Sequence, residues 1–138
     1  MEGKVALITG ASQGIGEYIA KIFMKHGAIL ANADIVHPSS SAANEDSTTD
    51  NDQILYIHCD VTKEFDVQNA VKTVVAKYGK LDIMIDNAAV GDPPKRCILD
   101  NETADFERVI SVNVTGQNWD CPFYYIWYPM LDFVGKGP

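Results

Sequence analysis

Cysteine, basic charge and long apolar runs are all scarce in this chain, and each scarcity argues against a class of function. Only three cysteines occur, Cys59, Cys97 and Cys121, and they are widely spaced without a pair of the metal-binding type. We therefore expect reduced thiols and no metal site. The chain has 11 basic and 19 acidic residues, a net charge of −8. That balance argues against nucleic acid or an anionic membrane surface as a partner.

No segment is apolar for long enough to cross a membrane, and the first residues do not form a secretory signal. These absences lead us to expect a cytoplasmic protein without a membrane partner. The chain has 138 residues, of which 46% are hydrophobic. That length and composition predict one domain with a genuine core.

The chain is organised around its first apolar segment and the turn that follows it. Residues 5–8 are all apolar and predict a buried parallel strand. Three glycines follow at a fixed spacing: Gly10, Gly14 and Gly16. Apolar residues then recur at the spacing of one helix face, with Gly27 as the stop: Ile15, Ile19, Ile22 and Phe23.

Each of the three glycines has its own expected role in such a strand–turn–helix unit. Gly10 lets the chain leave the strand in a tight turn, and Gly16 lets the helix pack close to the strand. Gly14 leaves room for a pyrophosphate beside the backbone, facing the free N–H groups and the positive dipole end of the helix. The alternative is an ordinary glycine-rich turn. The strand before and the helix after favour a nucleotide site.

Residues 9–16, Thr-Gly-Ala-Ser-Gln-Gly-Ile-Gly, resemble the cofactor signature of the short-chain dehydrogenase/reductase family. The resemblance covers about residues 4–116 with a gap near 37–53, and looks most like a plant group of secoisolariciresinol, xanthoxin and momilactone-type dehydrogenases. It implies an α/β fold, a Rossmann-type three-layer doubly wound parallel sheet, truncated after about the fourth strand and its following helix. It also implies that three more residues of the turn bind the cofactor: Ser12, Gln13 and Ile15.

Two stretches depart from the family. Residues 37–53 are polar and low in complexity, which predicts a mobile insertion rather than a packed helix. Residues 117–138 form a divergent tail, dense in aromatic residues near its start. We therefore expect a dinucleotide-binding Rossmann half-domain over residues 1–116, followed by this tail.

A second strand is predicted over residues 28–34, although Asn32 is unusual in a buried strand. It ends in Asp34, roughly twenty residues beyond the glycine turn, where a carboxylate can accept both ribose hydroxyls of NAD. A 2′-phosphate would meet like charge there, and no basic residue lies next to Asp34. We expect NAD rather than NADP as the cofactor. The alternative is a solvated aspartate at a strand end.

A third strand is predicted over residues 54–59, and His58 within it receives no role. The family resemblance implies that the next two residues, Asp60 and Val61, hold the adenine ring. Thr62 is the predicted N-cap of a helix. The residues on the apolar face of this helix, which ends at Gly79, are Val67, Ala70, Val71, Val74 and Tyr78.

A fourth strand is predicted over residues 81–85. The four residues after it are Asp-Asn-Ala-Ala, where the family has Asn-Asn-Ala-Gly. Asn87 and Ala88 match this family turn, which closes over the adenosine side of the cofactor. Ala89 replaces its glycine. If that position needs a positive φ, the methyl group would strain the turn and lower cofactor affinity.

A last helix is predicted from about Glu102, with four residues on its inner side: Phe106, Val109, Ile110 and Asn113. The resemblance implies that Asn113 is the asparagine whose backbone carbonyl holds a water in the family's proton relay. The alternative is an ordinary asparagine at a helix end, before the glycine stop at Gly116.

The family's catalytic serine and Tyr-x-x-x-Lys pair are absent, since none of the six tyrosines has a lysine four residues later. A phenol with a pKa near 10 is a poor base at neutral pH without such help. We therefore interpret the chain as the NAD-binding part of an oxidoreductase and expect it to be inactive by itself. The family that it resembles transfers hydride between nicotinamide and a secondary alcohol or ketone. The alternatives are an active family enzyme, a non-enzymatic homo- or hetero-oligomeric partner of a full-length relative, or an unstable truncated product.

Overall fold

A computed structural model of the protein describes residues 1–36, 54–91, 97–100 and 102–116. The predicted mobile insertion at 37–53 and the predicted tail at 117–138 lie outside these residues. The regular elements of the described part are β1 (Val5–Thr9), α1 (Gly14–Lys25), β2 (Ile29–Asp34), β3 (Ile54–His58), α2 (Glu64–Tyr78), β4 (Ile83–Ile85) and α3 (Thr103–Ile110). None of the helices in this part is both long and apolar enough to span a bilayer.

The four strands form one parallel sheet in the order β3-β2-β1-β4. Leu7 in the central strand pairs with Ala31 on one side and Met84 on the other. The chain moves outward from β1 to β3 and then returns to place β4 on the opposite side of β1. This reversal confirms the predicted doubly wound α/β sheet, and the strand ends differ from prediction by only one or two residues.

One face of the sheet packs against α2 and carries the larger part of the core. Val5 and Leu7 of β1 and Ala31 of β2 meet the predicted apolar face of this helix, including the fully buried Val74. Burial of a side chain of this size contributes roughly 1.5–3 kcal/mol. The helix ends at Gly79, whose φ of 76° is the left-handed C-cap conformation, as its position predicted.

The other face packs against α1 and completes the three layers. Ala20 belongs to one buried cluster with Ala6, Ile8 and Leu30 of the sheet, and Ile19, Phe23 and Met24 are partly buried against it. The predicted apolar face of this helix is wrong for Ile15 and Ile22, which are 75% and 39% exposed. The helix instead turns two small residues, Gly16 and Ala20, toward the sheet, because small side chains allow the closest approach.

The inner side predicted for the last helix is also only partly right. Val109 and Asn113 are half-buried, but Phe106 and Ile110 are 65% and 37% exposed. A 3-10 turn (Ile98–Asp100) precedes α3, and α3 continues as a π-helical turn (Ser111–Thr115). The apolar spacing predicts a face that can be buried. In the described part of the chain, the outer residues of this face, Phe106 and Ile110, stay exposed.

A carboxylate closes the end of the sheet at which the strands begin. The two oxygens of Asp82 contact Lys4 Nζ at 3.0 Å and Lys80 Nζ at 2.9 Å. The Val5 N–H donates to the same group at 2.9 Å. These contacts, with the Lys80 bond as the largest contribution, hold the pKa of Asp82 well below its usual range.

Candidate functional site

A cavity of about 460 Å³ opens where the strands end. The residues that line it come from the end of β2, the start of α1, the segments that follow the four strands and the π-helical turn: Gly10, Gln13, Gly14, Ile15, Ala33, Asp34, Ile35, Val36, Cys59, Asp60, Val61, Asn87, Ala88, Ala89, Val90 and Val112. In open parallel sheets, ligands bind at the carboxyl ends of the strands, where the strand order reverses. The cavity has that location and the volume of a small-molecule or cofactor site.

All the residues predicted to bind cofactor line this cavity, except Ser12 and Gly16. Sequence reasoning missed several others, namely Ala33, Ile35, Val36, Cys59, Val90 and Val112. Position in the sequence could have pointed to Ala33 and Cys59, since each lies next to a predicted site residue. No sequence signal predicts that Val90 and Val112 lie close together, because they belong to separate segments and local patterns do not report contacts between segments.

The glycine turn leaves the strand with a left-handed backbone at Gly10 (φ 65°) and again at Gly14 (φ 62°). A Cβ on Gly10 would lie 2.7 Å from the Cα of Ala88, and one on Gly16 would lie 2.6 Å from the Gly10 carbonyl oxygen and overlap the Asn87 amide. These positions confirm the predicted tight turn and close packing. A Cβ on Gly14 would meet nothing within 4 Å, so the backbone there is open to the cavity.

The first turn of α1 begins at this opening without a side-chain cap. Gln13 is the N-cap, in an extended conformation, and its side chain makes no capping hydrogen bond. The first N–H groups of a helix lack partners within the helix, and the helix dipole adds partial positive charge there. Gln13, Gly14 and Ile15 all line the cavity, so this helix start is available to an anionic group.

Asp34, at the end of β2, is held by backbone donors. Its two carboxylate oxygens accept the Ser12 N–H at 2.9 Å and the Val36 N–H at 3.0 Å. The Ser12 hydroxyl donates to the Val36 carbonyl at 2.6 Å and ties the glycine turn to the same segment. Each carboxylate oxygen keeps a further lone pair, so Asp34 can still accept hydroxyl donors from the cavity. Ser12 fixes Asp34 in place, and direct cofactor contact by Ser12 stays a prediction.

Asp60 makes most of its contacts within its own turn. Its carboxylate accepts the Thr62 hydroxyl at 2.7 Å and the Thr62 N–H at 3.0 Å, and pairs with Lys63 Nζ at 3.2 Å. The Thr62 hydroxyl bond is the largest of the causes that lower the pKa of Asp60. The predicted cap at Thr62 is wrong, because the hydroxyl bonds this carboxylate and Lys63 is the N-cap. Adenine contacts from Asp60 and Val61 stay predictions.

Cys59 forms an uncharged part of the cavity wall. The side chain is buried, with 2% of the residue exposed. Burial is the main cause that raises the pKa of the Cys59 thiol to about 11, with further contributions from Asp66, Asp60 and Asp34. The raised pKa favours the protonated thiol at neutral pH, which is a poor nucleophile.

Asn87 and Thr9 fasten the glycine turn to the end of β4. The N–H groups of Asn87 and Ala88 donate to the Thr9 hydroxyl oxygen at 3.0 and 3.2 Å. The Asn87 side-chain amide donates to the carbonyl oxygens of Thr9 and Gly10, both at 3.0 Å. These bonds fix the cavity wall on both sides of the reversal in strand order. A closing contact with adenosine stays a prediction.

Asn113 lies outside the cavity lining but holds part of its wall. Its amide oxygen accepts the Val90 N–H, and its amide nitrogen donates to the Val90 carbonyl, both at 2.9 Å. Arg108 adds a bond to the Gly91 carbonyl at 2.9 Å. The Asn113 side chain thus fixes the π-helical turn to the segment after β4. The predicted role of the Asn113 carbonyl in a proton relay stays a prediction.

Comparison with curated proteins places these features in one family. Residues 4–121 match the model of the short chain dehydrogenases. Over 116 residues the chain is 56% identical to secoisolariciresinol dehydrogenase of Forsythia intermedia, covering 84% of this chain and 41% of that protein. It is 48% identical to mitochondrial borneol dehydrogenase of Lavandula x intermedia, covering 84% of this chain and 43% of that protein. The chain therefore spans about two-fifths of the length of these relatives.

Comparison with solved structures agrees. The 3-ketoacyl-(acyl-carrier-protein) reductase of Brucella melitensis, solved in complex with NADH, superposes with a TM-score of 0.76 at 38% identity. The match covers 89% of this chain and 49% of that chain. Sequence and fold thus agree over most of the chain and confirm the resemblance drawn from the glycine turn. The chain belongs to the short chain dehydrogenase family.

Proposed function

We propose that this chain binds a nicotinamide adenine dinucleotide in the cavity at the strand ends and prefers NAD(H) to NADP(H). The observation that carries the proposal is the pairing of an open backbone at Gly14 and an uncapped helix start with the fixed carboxylate of Asp34. The pyrophosphate would lie at the start of α1, the adenosine ribose on Asp34, and the adenine beside Asp60 and Val61. The NADH complex of the bacterial relative supports this assignment.

The preference for NAD(H) follows from charge around Asp34. A 2′-phosphate carries nearly two negative charges at neutral pH and would lie against this carboxylate. Among the described residues that line the large cavity, none is a lysine, arginine or histidine that could offset the repulsion. Ile35 and Val36, the next residues along the chain, are apolar.

We also propose that these 138 residues alone do not transfer hydride. The bound nicotinamide would supply the hydride, but the substrate oxygen also needs a proton donor and acceptor. A tyrosine serves this purpose only when a nearby cation lowers its pKa, and no tyrosine here has a lysine four residues later. The chain would therefore supply the dinucleotide part of a site. Asn113 would hold the wall near Val90 and place its own carbonyl for a relay water.

Calorimetric titration of the purified chain with NADH and NADPH tests the binding proposal. We expect saturable NADH binding and NADPH binding at least about tenfold weaker. In Asp34→Asn, which removes the negative charge, the affinities for NADH and NADPH should differ less. Glu107→Ala on α3, an exposed acidic position away from the cavity, is the matched control and should match the unmutated chain. A folded chain with a cooperative melt but no saturable NADH binding would contradict the proposal.

Absorbance at 340 nm tests the catalytic part. With NADH and a panel of ketones and aldehydes, we expect no oxidation rate above that of the reaction without protein. A rate that saturates with NADH over the concentration range in which calorimetry detects binding, and whose NADH dependence shifts with the measured affinity in Asp34→Asn, would contradict inactivity, because it would come from the dinucleotide site.

One observation favours a second function, association with a full-length relative. Phe106, Ile110 and Val114 repeat every four residues along α3 and the π-helical turn, and are 65%, 37% and 50% exposed. Co-sedimentation with secoisolariciresinol dehydrogenase tests this function. Phe106→Glu should abolish association, whereas Phe65→Glu, at a 75% exposed position on α2, should not. Equal association of both variants would exclude this surface.

A further inference from the structure

A second, small cavity of about 20 Å³ lies between β2 and β3. Five residues line it: Asn32, Asp34, Tyr56, Ile57 and His58. Asp34 also lines the large cavity, so this residue is common to both linings. A charged side chain in the lining of the small cavity therefore lies close to the residue that the proposed function assigns to the ribose.

The sheet register places His58 beside Asp34. The two residues are direct partners in the parallel pairing of β2 and β3, just as Asn32 and Tyr56 are. Neighbouring strands lie about 5 Å apart, and register partners point to the same face of the sheet. His58 is exposed at the end of its strand, so its ring can turn toward Asp34 without unfolding the sheet.

Two residues that line the small cavity with His58 have hydrogen-bond acceptors with capacity to spare. Asn32 is 4% exposed, and its amide oxygen has no hydrogen-bond partner among the described residues. Each Asp34 oxygen accepts one backbone N–H and keeps capacity for another. A neutral imidazole has one N–H to donate, whereas a protonated imidazole has two. A space with two acceptors is therefore suited to the cationic ring.

Charged groups on the neighbouring segments already have partners. On α1, Glu17 pairs with Lys21, and its charge adds to burial in raising the pKa of Tyr56. After β3, Asp60 pairs with Lys63. Among the described residues that line either cavity, His58 is the one basic side chain. Histidine is also the side chain that ordinarily changes charge between pH 5 and 8.

We propose that His58 is a specificity-determining residue of the dinucleotide site, whose charge beside Asp34 sets how strongly the site rejects a 2′-phosphate. This inference rests on the proposed function, because it takes Asp34 as the ribose carboxylate. A neutral His58 leaves the negative charge of Asp34 undiminished, and NADPH is rejected. A cationic His58 cancels part of that charge and admits NADPH. NADH lacks the 2′-phosphate and responds less.

Fixed-charge variants test the inference at pH 8 by calorimetry with NADH and NADPH. His58→Lys supplies a permanent cation, and we expect its NADPH-to-NADH ratio of Kd values to fall about fivefold. His58→Gln stays neutral and should keep the ratio of the unmutated chain. Asn69→Lys, at an exposed position on α2, adds the same charge on the opposite face of the sheet and is the matched control. Thermal melts establish that each variant folds.

A second comparison uses pH. Between pH 8 and 6 the ratio should fall further in the unmutated chain than in His58→Gln. The fall that remains in His58→Gln belongs to the 2′-phosphate, whose second ionisation lies near pH 6. The inference is overturned if His58→Lys behaves like Asn69→Lys and the two pH responses coincide while NADH still binds. If the unmutated chain binds neither dinucleotide, the proposed function fails, and this inference fails with it.

Discussion

The two ends of the sheet treat charge in opposite ways. Where the strands begin, Asp82 meets two lysines and a backbone N–H, and Lys80 also donates to the Gly3 carbonyl at 2.8 Å. Where the strands end, the start of α1 has no side-chain cap and Gly14 opens the backbone to a cavity. The first end satisfies its polar groups within the protein, and the second leaves several of them for a ligand.

This difference separates stability from binding along the same four strands. Interactions completed within the chain contribute to the free energy of unfolding whether or not a ligand is present. Groups reserved for a ligand contribute only when it binds. Substitutions of groups that are satisfied within the chain should therefore change stability, and only substitutions of groups left for a ligand should change affinity first.

The largest expected effect comes from Gly10→Ala at the open end. The new methyl would meet the Cα of Ala88 at 2.7 Å in a backbone with φ of 65°. We expect a loss of about 3 kcal/mol in the free energy of unfolding, from strain and overpacking together, and no measurable NADH binding. Denaturant unfolding and calorimetry measure the two quantities.

Substitutions at two other glycines separate the contribution of backbone strain from that of overpacking. Gly14 and Gly3 also have positive φ, at 62° and 70°, but a methyl on either meets nothing within 4 Å. Alanine at each should cost about 1 kcal/mol. Only Gly14→Ala should also weaken NADH binding. If Gly10→Ala unfolds as readily as Gly3→Ala, the contact with Ala88 is not what makes the turn tight.

The next effect concerns Asp82 at the closed end. Asp82→Asn should lower the free energy of unfolding by about 1 kcal/mol at pH 7 and leave NADH affinity unchanged. The folded-state pKa of Asp82 is lowered, whereas an unfolded aspartate takes up a proton near pH 3.9. Its contribution is therefore present above about pH 4 and is lost as the pH falls further.

Thermal melts from pH 6 to pH 2 check the sign. The Tm of the unmutated chain should fall more steeply than that of Asp82→Asn, while Asp100→Asn, in the exposed 3-10 turn, should follow the unmutated chain. Parallel curves for all three proteins would mean that the Asp82 cluster adds no pH-dependent stability.

A smaller effect distinguishes two cysteines. Cys59 is buried in the cavity wall with its pKa raised to about 11, whereas Cys97 is exposed. Iodoacetamide at pH 8 should therefore alkylate Cys97 at least about a hundred times faster, as followed by peptide mass spectrometry. NADH should slow the reaction of Cys59 further. Similar alkylation rates of Cys59 and Cys97 in the folded chain would contradict the burial of Cys59 in the cavity wall. Similar rates are expected only after denaturation.

The smallest expected effect is at Ala89, which lines the open cavity where the family motif has glycine. Ala89→Gly removes a methyl group from the wall and any strain it imposes on the turn. We expect NADH to bind about two- to threefold more tightly, with stability lowered by no more than about 1 kcal/mol. Unchanged or weaker binding would show that the methyl group does not limit the site.

Local patterns predicted most of the sheet and the turn that leads into the site. The apolar spacing from Val67 to Val74 identified the buried face of α2 because helix periodicity and burial are linked. The glycine spacing identified Gly10 and Gly16 because each needs a backbone or a contact that other residues do not permit. Asn87 was found by resemblance alone, since its bonds to Thr9 and Gly10 join distant parts of the chain.

Other features depend on competition between hydrogen-bond partners or on packing neighbours, which a local sequence pattern does not specify. Thr62 has the sequence position of an N-cap, but the charged Asp60 attracts its hydroxyl more strongly than a helix N–H does. Ser12 belongs to the cofactor signature, yet its hydroxyl bonds Val36 across the turn. Phe106 has the spacing of an inner face, but burial also requires a neighbour, which the helix pattern does not specify.

The amide of Asn87 also sets an order of events during synthesis. It joins Thr9 and Gly10 across sequence separations of 78 and 77 residues, so the bonds that fasten the glycine turn form only after the fourth strand has arrived. Closing so long a loop costs entropy before the contact returns any stability. A nascent chain that ends before this asparagine carries the complete glycine motif without a receptive turn. Capture of a dinucleotide thus reports that the sheet has assembled across its centre.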